Sequence, residues 1–267
     1  MATIPSIAMI PSGYKAGKLY SVLPTNGEGD FTTTRNTVAT RLNENGLIEE
    51  VASNVPRLDY SDGTCPSLLL EGTATNLVTY SEDLNTYLRN KTKTTITDNY
   101  GISPSGQVNS SRIQFADATS FFYNSINIST EHTASVYVKG TSGETVRFGM
   151  GASVTTGGLF TLNGLWQRIE FTTSSATQIF FSSYSGATAT DFEAFGLQLE
   201  ENSYPTSYIK TVGTTQTRTL DNANLNLTSF TLTSITETIG GVEQSPITVI
   251  PSTYTIPFGK INKIIMI

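Results

Sequence analysis

The sequence is poor in the residues that build most catalytic and metal centres. It has one cysteine and one histidine in 267 residues. A single cysteine excludes an internal disulfide and any cysteine-cage zinc site, and a single histidine excludes paired-histidine metal motifs. Charge is sparse as well: charged residues are 14% of the chain, with 16 Lys plus Arg against 22 Asp plus Glu and a net charge of −6. Nucleic-acid binders need clustered basic residues to displace counterions from phosphates, so this balance argues against a nucleic-acid partner. Long apolar runs are missing too. Runs such as Leu68–Leu70 and Ile264–Ile267 fall far short of the ~20 residues that span a bilayer. The opening Met1-Ala2-Thr3-Ile4-Pro5-Ser6 has no basic segment followed by an apolar stretch, so no secretory leader and no membrane partner are expected.

What is present is hydroxyl and aromatic. Thr occurs 43 times and Ser 28 times, alongside 13 Phe and 12 Tyr. Thr, Val, Ile, Tyr and Phe suit the half-buried pleated surface of a sheet, and 37% hydrophobic content is enough for a packed core. Helical periodicity is nearly absent; the best short candidate is Ser81 to Arg89, where Leu84 and Leu88 share a face.

Four stretches follow from the punctuation. Residues 1 to about 30, rich in Pro and Gly, read as an extended arm. Residues 31 to 80 hold short segments broken by the turn signals Asn45-Gly46, Asp62-Gly63 and Cys65-Pro66. From 81 to 217 strands recur with tight turns. Ala134, Val136 and Val138 alternate with Ser135, Tyr137 and Lys139; Phe195, Leu197 and Leu199 alternate with Gly196, Gln198 and Glu200. Residues 218–267 read as a small β module, with Gly240-Gly241 turning a hairpin toward Ile247–Val249. The expected class is all-β: a β-sandwich or jelly roll over 81–217, with an N-terminal arm and attachment segment over 1–80 and a C-terminal module over 218–267. Both chain ends are expected to be packed. The apolar last strand, left unpaired, would invite aggregation, so it is expected to pair in a partner sheet or an oligomer.

Chemistry is harder to place. His132 precedes a strand, and Cys65 sits at a turn with no second thiol; neither reads as a nucleophile or its base. Glycosidases use two converging carboxylates, and Glu49, Glu50, Asp59, Glu71, Asp83, Glu193, Glu200 and Glu201 are available, but spacing brings no pair together. A structural calcium ion could be held by loop oxygens, although no D-x-D-x-D-G run occurs; no other cofactor is expected. Outward-facing rings are how a protein stacks on sugars, and Phe122, Tyr137 and Tyr184 are the candidate glycan-binding residues.

Specific strings go further. Phe31-Thr32-Thr33-Thr34-Arg35-Asn36 leads into Ala39-Thr40-Arg41-Leu42-Asn43 and Asn45-Gly46-Leu47-Ile48-Glu49. Asn54-Val55-Pro56-Arg57-Leu58-Asp59-Tyr60, Cys65-Pro66-Ser67-Leu68-Leu69-Leu70-Glu71 and Thr75-Asn76-Leu77-Val78-Thr79-Tyr80-Ser81 follow. This series resembles a segment shared by head-fibre, head-spike and tail-fibre structural proteins of tailed bacteriophages. The opening Ile10-Pro11-Ser12-Gly13-Tyr14-Lys15 is similar to versions from phages of Bacteroidetes hosts, the crAss-like phages among them. Gly196-Leu197-Gln198-Leu199-Glu200 and Ser203-Tyr204-Pro205-Thr206-Ser207-Tyr208-Ile209 resemble the end of the carbohydrate-binding-module-like jelly roll in those proteins, and Thr217-Arg218 the junction to a C-terminal module.

The resemblance covers most of residues 7–218. It implies a non-enzymatic virion protein, a short head fibre or capsid decoration that assembles as a homotrimer in the infected cell, with other capsid or fibre components and host-surface glycans as partners. It carries no catalytic residues over. Only about 50 residues follow Arg218, where many relatives continue into a large receptor-binding domain; this favours a short fibre, a decoration or an adaptor. The alternative readings are a glycan-binding adhesin module, a tail-fibre adaptor and, less well supported, a polysaccharide-degrading enzyme. Arg35, Arg41 and Arg57 are expected to pair with Glu49, Asp59 and Glu71 inside the N-terminal segment, setting register more than stability.

Overall fold

The computed structural model describes residues 4–15 and 17–267. The chain forms two compact units: one is residues 74–217, and the other is assembled from the residues up to Thr73 together with Arg218–Ile267. Among the described residues regular structure is almost entirely strand, with one short helix, Leu84–Tyr87. That helix lies inside the segment whose periodicity predicts it. Asp83 caps it by accepting from the Thr86 amide at 2.8 Å, and Leu84 and Leu88 are fully buried.

Residues 74–217 form an antiparallel β-sandwich of jelly-roll type. The first five-stranded sheet runs Thr94–Thr97, Ser111–Phe115, Asp191–Glu200, His132–Gly140, Gln167–Thr173. The second runs Gly158–Thr161, Thr145–Gly151, Ala176–Ser182, Phe121–Ile128, Asn90–Thr92. Between them lies a core rich in phenylalanine. Phe181 stacks on Phe122 with centroids 5.2 Å apart and planes 8° apart, and it meets Phe148 at 4.8 Å.

The alternation at Ala134, Val136 and Val138 places all three in this core. The strand Asp191–Glu200 behaves differently. Phe192 and Ala194 face the core, and then Leu197 and Leu199 do, so the phase slips between them. The cause is a β-bulge: the register passes from Tyr137 opposite Phe195 to Ser135 opposite Gln198, and Gly196 absorbs the extra residue at φ 69°. A Cβ at Gly196 would lie 3.2 Å from the Tyr208 ring. Phe195, read as sharing a face with Leu197 and Leu199, is therefore turned to the opposite face, 5.5 Å from Tyr208 and 6.3 Å from Tyr137. The polar residues that alternate with the leucines are not wet either. Gln198 and Glu200 are fully buried beneath residues 206–209, which donate the Ile209 amide to Gln198 Oε1 at 2.7 Å and the Thr206 amide to Glu200 Oε2 at 2.9 Å.

The other unit is also two-layered. Its central strand is Gly259–Met266. One edge pairs with Ile235–Ile239; the other is shared by Ile7–Met9, opposite residues 264–266, and Leu68–Leu70, opposite residues 259–261. A three-stranded sheet of Thr32–Thr34, Asn222–Asn226 and Thr253–Thr255 contributes Ala223, Leu225 and Tyr254 to a core with Ile7, Met9, Ile261, Ile264 and Met266.

Three expectations are corrected here. The last strand does not wait for a partner molecule, because Ile261, Ile264 and Met266 are fully buried within their own chain. The stretch expected as an arm is mostly sheet: Ile7–Lys15 pairs with both Lys18–Leu23 and the last strand, and its apolar residues supply the cover that the C-terminal strand needs. Consequently 1–80 and 218–267, expected as separate pieces, share one unit, and the first boundary falls after Thr73 rather than after Tyr80. Near the chain ends Ile7 and Met266 are buried, whereas Ile4 and Ile267 are exposed, so the packing stops short of the ends; Met1–Thr3 lie outside the described residues.

Candidate functional site

The outer face of the second sheet of the 74–217 unit carries a line of aromatic rings. Successive side chains of a strand point to opposite faces. With Phe122, Phe148 and Phe181 committed to the core, Phe121 and Tyr123 must point outward, opposite Ser182 and Phe180 respectively. Tyr184, just beyond the end of the strand Ala176–Ser182, joins them. Phe121 lies 6.1 Å from Tyr123 and 6.1 Å from Tyr184, centroid to centroid, with interplanar angles of 33° and 39°. All three rings are half-buried.

A loop walls this platform on one side. Ser182 donates its hydroxyl to the Val154 carbonyl at 2.6 Å. Gly157, at φ 80°, passes so close to the Phe180 ring that a Cβ there would lie 3.1 Å from Cζ. Phe180 is fully buried although it faces outward, because residues 153–157 lie over it. Arg147, on the same face and opposite Ser182, locks the wall to the platform. Its Nε donates to the Tyr184 carbonyl at 3.1 Å, Nη1 to that of Gly157 at 2.9 Å and Nη2 to that of Ser185 at 2.8 Å. Both the Tyr184 backbone and the loop are thus fixed by one guanidinium.

Of the three rings picked out by sequence, only Tyr184 belongs to this platform. Phe122 is fully buried, sandwiched in the core against Phe181, and it cannot stack on a sugar. Tyr137 lies on the other sheet, with the Arg168 guanidinium 5.5 Å from its ring centre and Phe195 at 6.3 Å. Phe121 and Tyr123 are the residues that sequence reasoning missed. The signal was present: in Phe121–Ile128 the apolar residues Phe122, Ile126 and Ile128 share one parity, and this assigns that parity to the core and the odd positions to solvent.

Most of the sandwich's carboxylates are engaged separately, but Asp83, one of the candidates, lies beside Asp98 and shares a hydrogen bond with it. Glu193 accepts from the Ser110 hydroxyl at 2.6 Å and lies 3.5 Å from Lys139. Glu82 pairs with Lys210 at 2.9 Å and accepts from the Tyr208 hydroxyl at 3.1 Å. Burial holds the Glu200 carboxyl above the usual carboxylate range, tempered by hydrogen bonds from Thr206 and Gln198. Burial likewise raises Asp98, with the adjacent Asp83 carboxylate adding to the shift. His132 is buried with Nδ1 3.0 Å from the Thr130 carbonyl oxygen, and Cys65 is exposed. Among the described residues no group of three or more His, Cys, Asp or Glu side chains is arranged to hold a metal ion.

The other unit contains a buried charge cluster. Asp221 is approached by Arg35 at 2.9 Å, by Arg57 through both Nε and Nη2, and by Arg218 at 3.6 Å, and it also accepts the Glu71 amide at 2.9 Å. Glu71 pairs with Arg57 at 2.8 Å and with Arg218 at 3.5 Å. Arg35 spends its other N–H groups on the carbonyls of Thr37, Val51, Ala52 and Val55. Burial lowers the Arg35 pKa against the pull of Asp221. For Arg57 burial acts the same way but is outweighed by Glu71 and Asp221, so its pKa is raised. The expected pairing of Arg57 with Glu71 is present, as is an outlying Arg41–Glu49 contact at 3.3 Å. Asp59 instead accepts from the Leu42 amide at 2.9 Å and the Ser61 amide at 3.0 Å.

No family model and no curated protein matches the chain. Among solved structures it is similar to one described as "BiXyn10A CBM1 APO", at 15% identity and a TM-score of 0.31, over 54% of this chain and 96% of that one. A likeness of that size leaves the architecture to be argued from the strands themselves.

Proposed function

We propose that this chain is a non-enzymatic structural protein of a bacteriophage particle, a short head fibre or capsid decoration that assembles as a trimer and presents its 74–217 sandwich to host-surface glycans. One observation carries the reading. Four of the five residues of the buried cluster come from strings that resemble phage fibre proteins: Arg35 from Phe31–Asn36, Arg57 from Asn54–Tyr60, Glu71 from Cys65–Glu71 and Arg218 from the Thr217-Arg218 junction, with Asp221 just beyond them. That these residues meet in three dimensions supports reading the strings as parts of one attachment module. The engagement of Glu71, Glu193 and Glu200 in internal bonds supports a role without catalysis.

Mass spectrometry of purified particles of the phage that encodes the chain tests this directly, with light scattering on the recombinant protein. The chain is expected in the particles, and a trimer in solution; its absence from washed particles overturns the proposal. A glycan-binding adhesin module is the second reading, favoured by the rings of Phe121, Tyr123 and Tyr184. A monomer that binds glycan and is missing from particles would establish it instead.

A further inference from the structure

The geometry points to the outer face of the second sheet as a binding site for neutral polysaccharides of β-linked pyranoses, with Phe121, Tyr123 and Tyr184 as the stacking platform and residues 153–157 as its wall. This inference rests on the reading that the sandwich faces host glycans, and it supplies the site and the ligand class.

Three features select that occupant. A row of half-buried rings, each 6.1 Å from the next, is spaced at about the size of a sugar ring. Neighbouring planes are tilted by 33° and 39° rather than edge-on, so successive rings can each offer a face to successive sugars. Aromatic faces carry partial negative charge, so they favour pyranose faces lined with C–H groups, which β-linked sugars with equatorial substituents present. The second feature is rigidity. Arg147 holds the Tyr184 carbonyl and the wall carbonyl of Gly157 together, so the platform is set before a ligand arrives and little ordering is left for binding to offset. The third is charge. The platform is bordered by Asn90 and Thr92 across from Tyr123 and Phe121, and by Ser125 one position along the same face. Arg147, a cation on this face, has its Nε, Nη1 and Nη2 each donating to a carbonyl. These neighbours offer neutral hydrogen bonds to sugar hydroxyls and little attraction to an acidic polymer.

Affinity electrophoresis of the full chain through gels containing mixed-linkage β-glucan, xylan, glycogen or alginate tests the site. Retardation is expected with at least one of the two neutral β-linked polymers, and none with alginate or glycogen. Phe121→Ala and Tyr184→Ala should each weaken retention about tenfold, equivalent to about 1.4 kcal/mol. Tyr184→Phe, which keeps the ring, and Tyr204→Ala, an exposed tyrosine elsewhere, should retain it. Far-UV circular dichroism confirms that each variant is folded. Retardation by alginate alone, by none of the polymers, or without dependence on the rings overturns the inference. If the chain is nevertheless present in particles, the site fails while the structural role stands.

Discussion

The two units solve the same problem from opposite resources. Residues 74–217 are continuous in sequence and bury a cluster of phenylalanines, Phe115, Phe122, Phe148, Phe181 and Phe192, between two sheets. The other unit is stitched from both ends of the chain, its core is mainly Ile, Leu and Met, and at its join lie three arginines around two carboxylates. Where one continuous segment folds on itself, apolar packing between two sheets accompanies even distant pairings such as Ser111 beside Ala194. Where strands must find partners nearly the whole chain away, Ile7 beside Met266 for example, buried charges add a geometric requirement that an apolar surface lacks.

That contrast can be broken from either side, and the lone tryptophan makes the two sides separable, because Trp166 lies in the 74–217 unit. Phe181 is fully buried against Phe122, Phe148 and Phe192, so Phe181→Ala should cost about 3–5 kcal/mol and shift the Trp166 fluorescence transition in urea. Asp221→Ala strands Arg35, Arg57 and Arg218 without their shared acceptor and should cost the other unit a similar ~3–5 kcal/mol. In that variant the Trp166 transition should stay in place while limited proteolysis leaves a resistant fragment near residues 74–217. A Trp166 transition that moves with Asp221→Ala would mean that the two units unfold together and that the contrast is only one of composition.

Smaller changes sharpen the picture within the sandwich. Removing the helix cap with Asp83→Ala should cost about 1 kcal/mol, read again at Trp166; no change would show that tertiary packing of Leu84 and Leu88 holds the helix without its cap. The gentlest effect is a pH slope. The Glu200 carboxyl has a folded pKa above its ordinary value of 4.5, so its contribution is complete below that value and is lost as pH rises through the folded one. Stability of the 74–217 unit should therefore carry a component that declines from about pH 4.5 toward neutrality, and Glu200→Gln should flatten it. An identical slope in thermal scans of the variant and the parent would assign the pH dependence to other groups.

Much of the sandwich was legible from periodicity, because alternation reports which face of a strand is buried whichever strand it pairs with: Ala134, Val136 and Val138 sit where alternation puts them. Legibility failed at two kinds of place. One was the bulge at Gly196, where a single extra residue reversed the phase and put Phe195 on the wrong side. The other was long-range pairing. Nothing local to Arg35 announces Asp221, which lies 186 residues away, and nothing local to Ile264 announces Met9. The platform falls between these cases. Phe121 and Tyr123 were recoverable from the parity of Phe122, Ile126 and Ile128, whereas Tyr184 joins them only through the fold.

The way the chain leaves and re-enters the composite unit has an engineering meaning. On that unit's side the exit and return lie together, with the Leu220 amide donating to the Thr73 hydroxyl at 3.2 Å; on the sandwich side the Thr75 and Thr217 hydroxyls are 2.8 Å apart. A segment whose two ends meet behaves as a cassette in a socket. The framework is indifferent to what is plugged in, since closing a longer loop costs only about 0.6 kcal/mol per doubling of its length. A module of different size or specificity, provided its own ends are adjacent, could replace residues 74–217 and leave the arginine-lined frame to be reused.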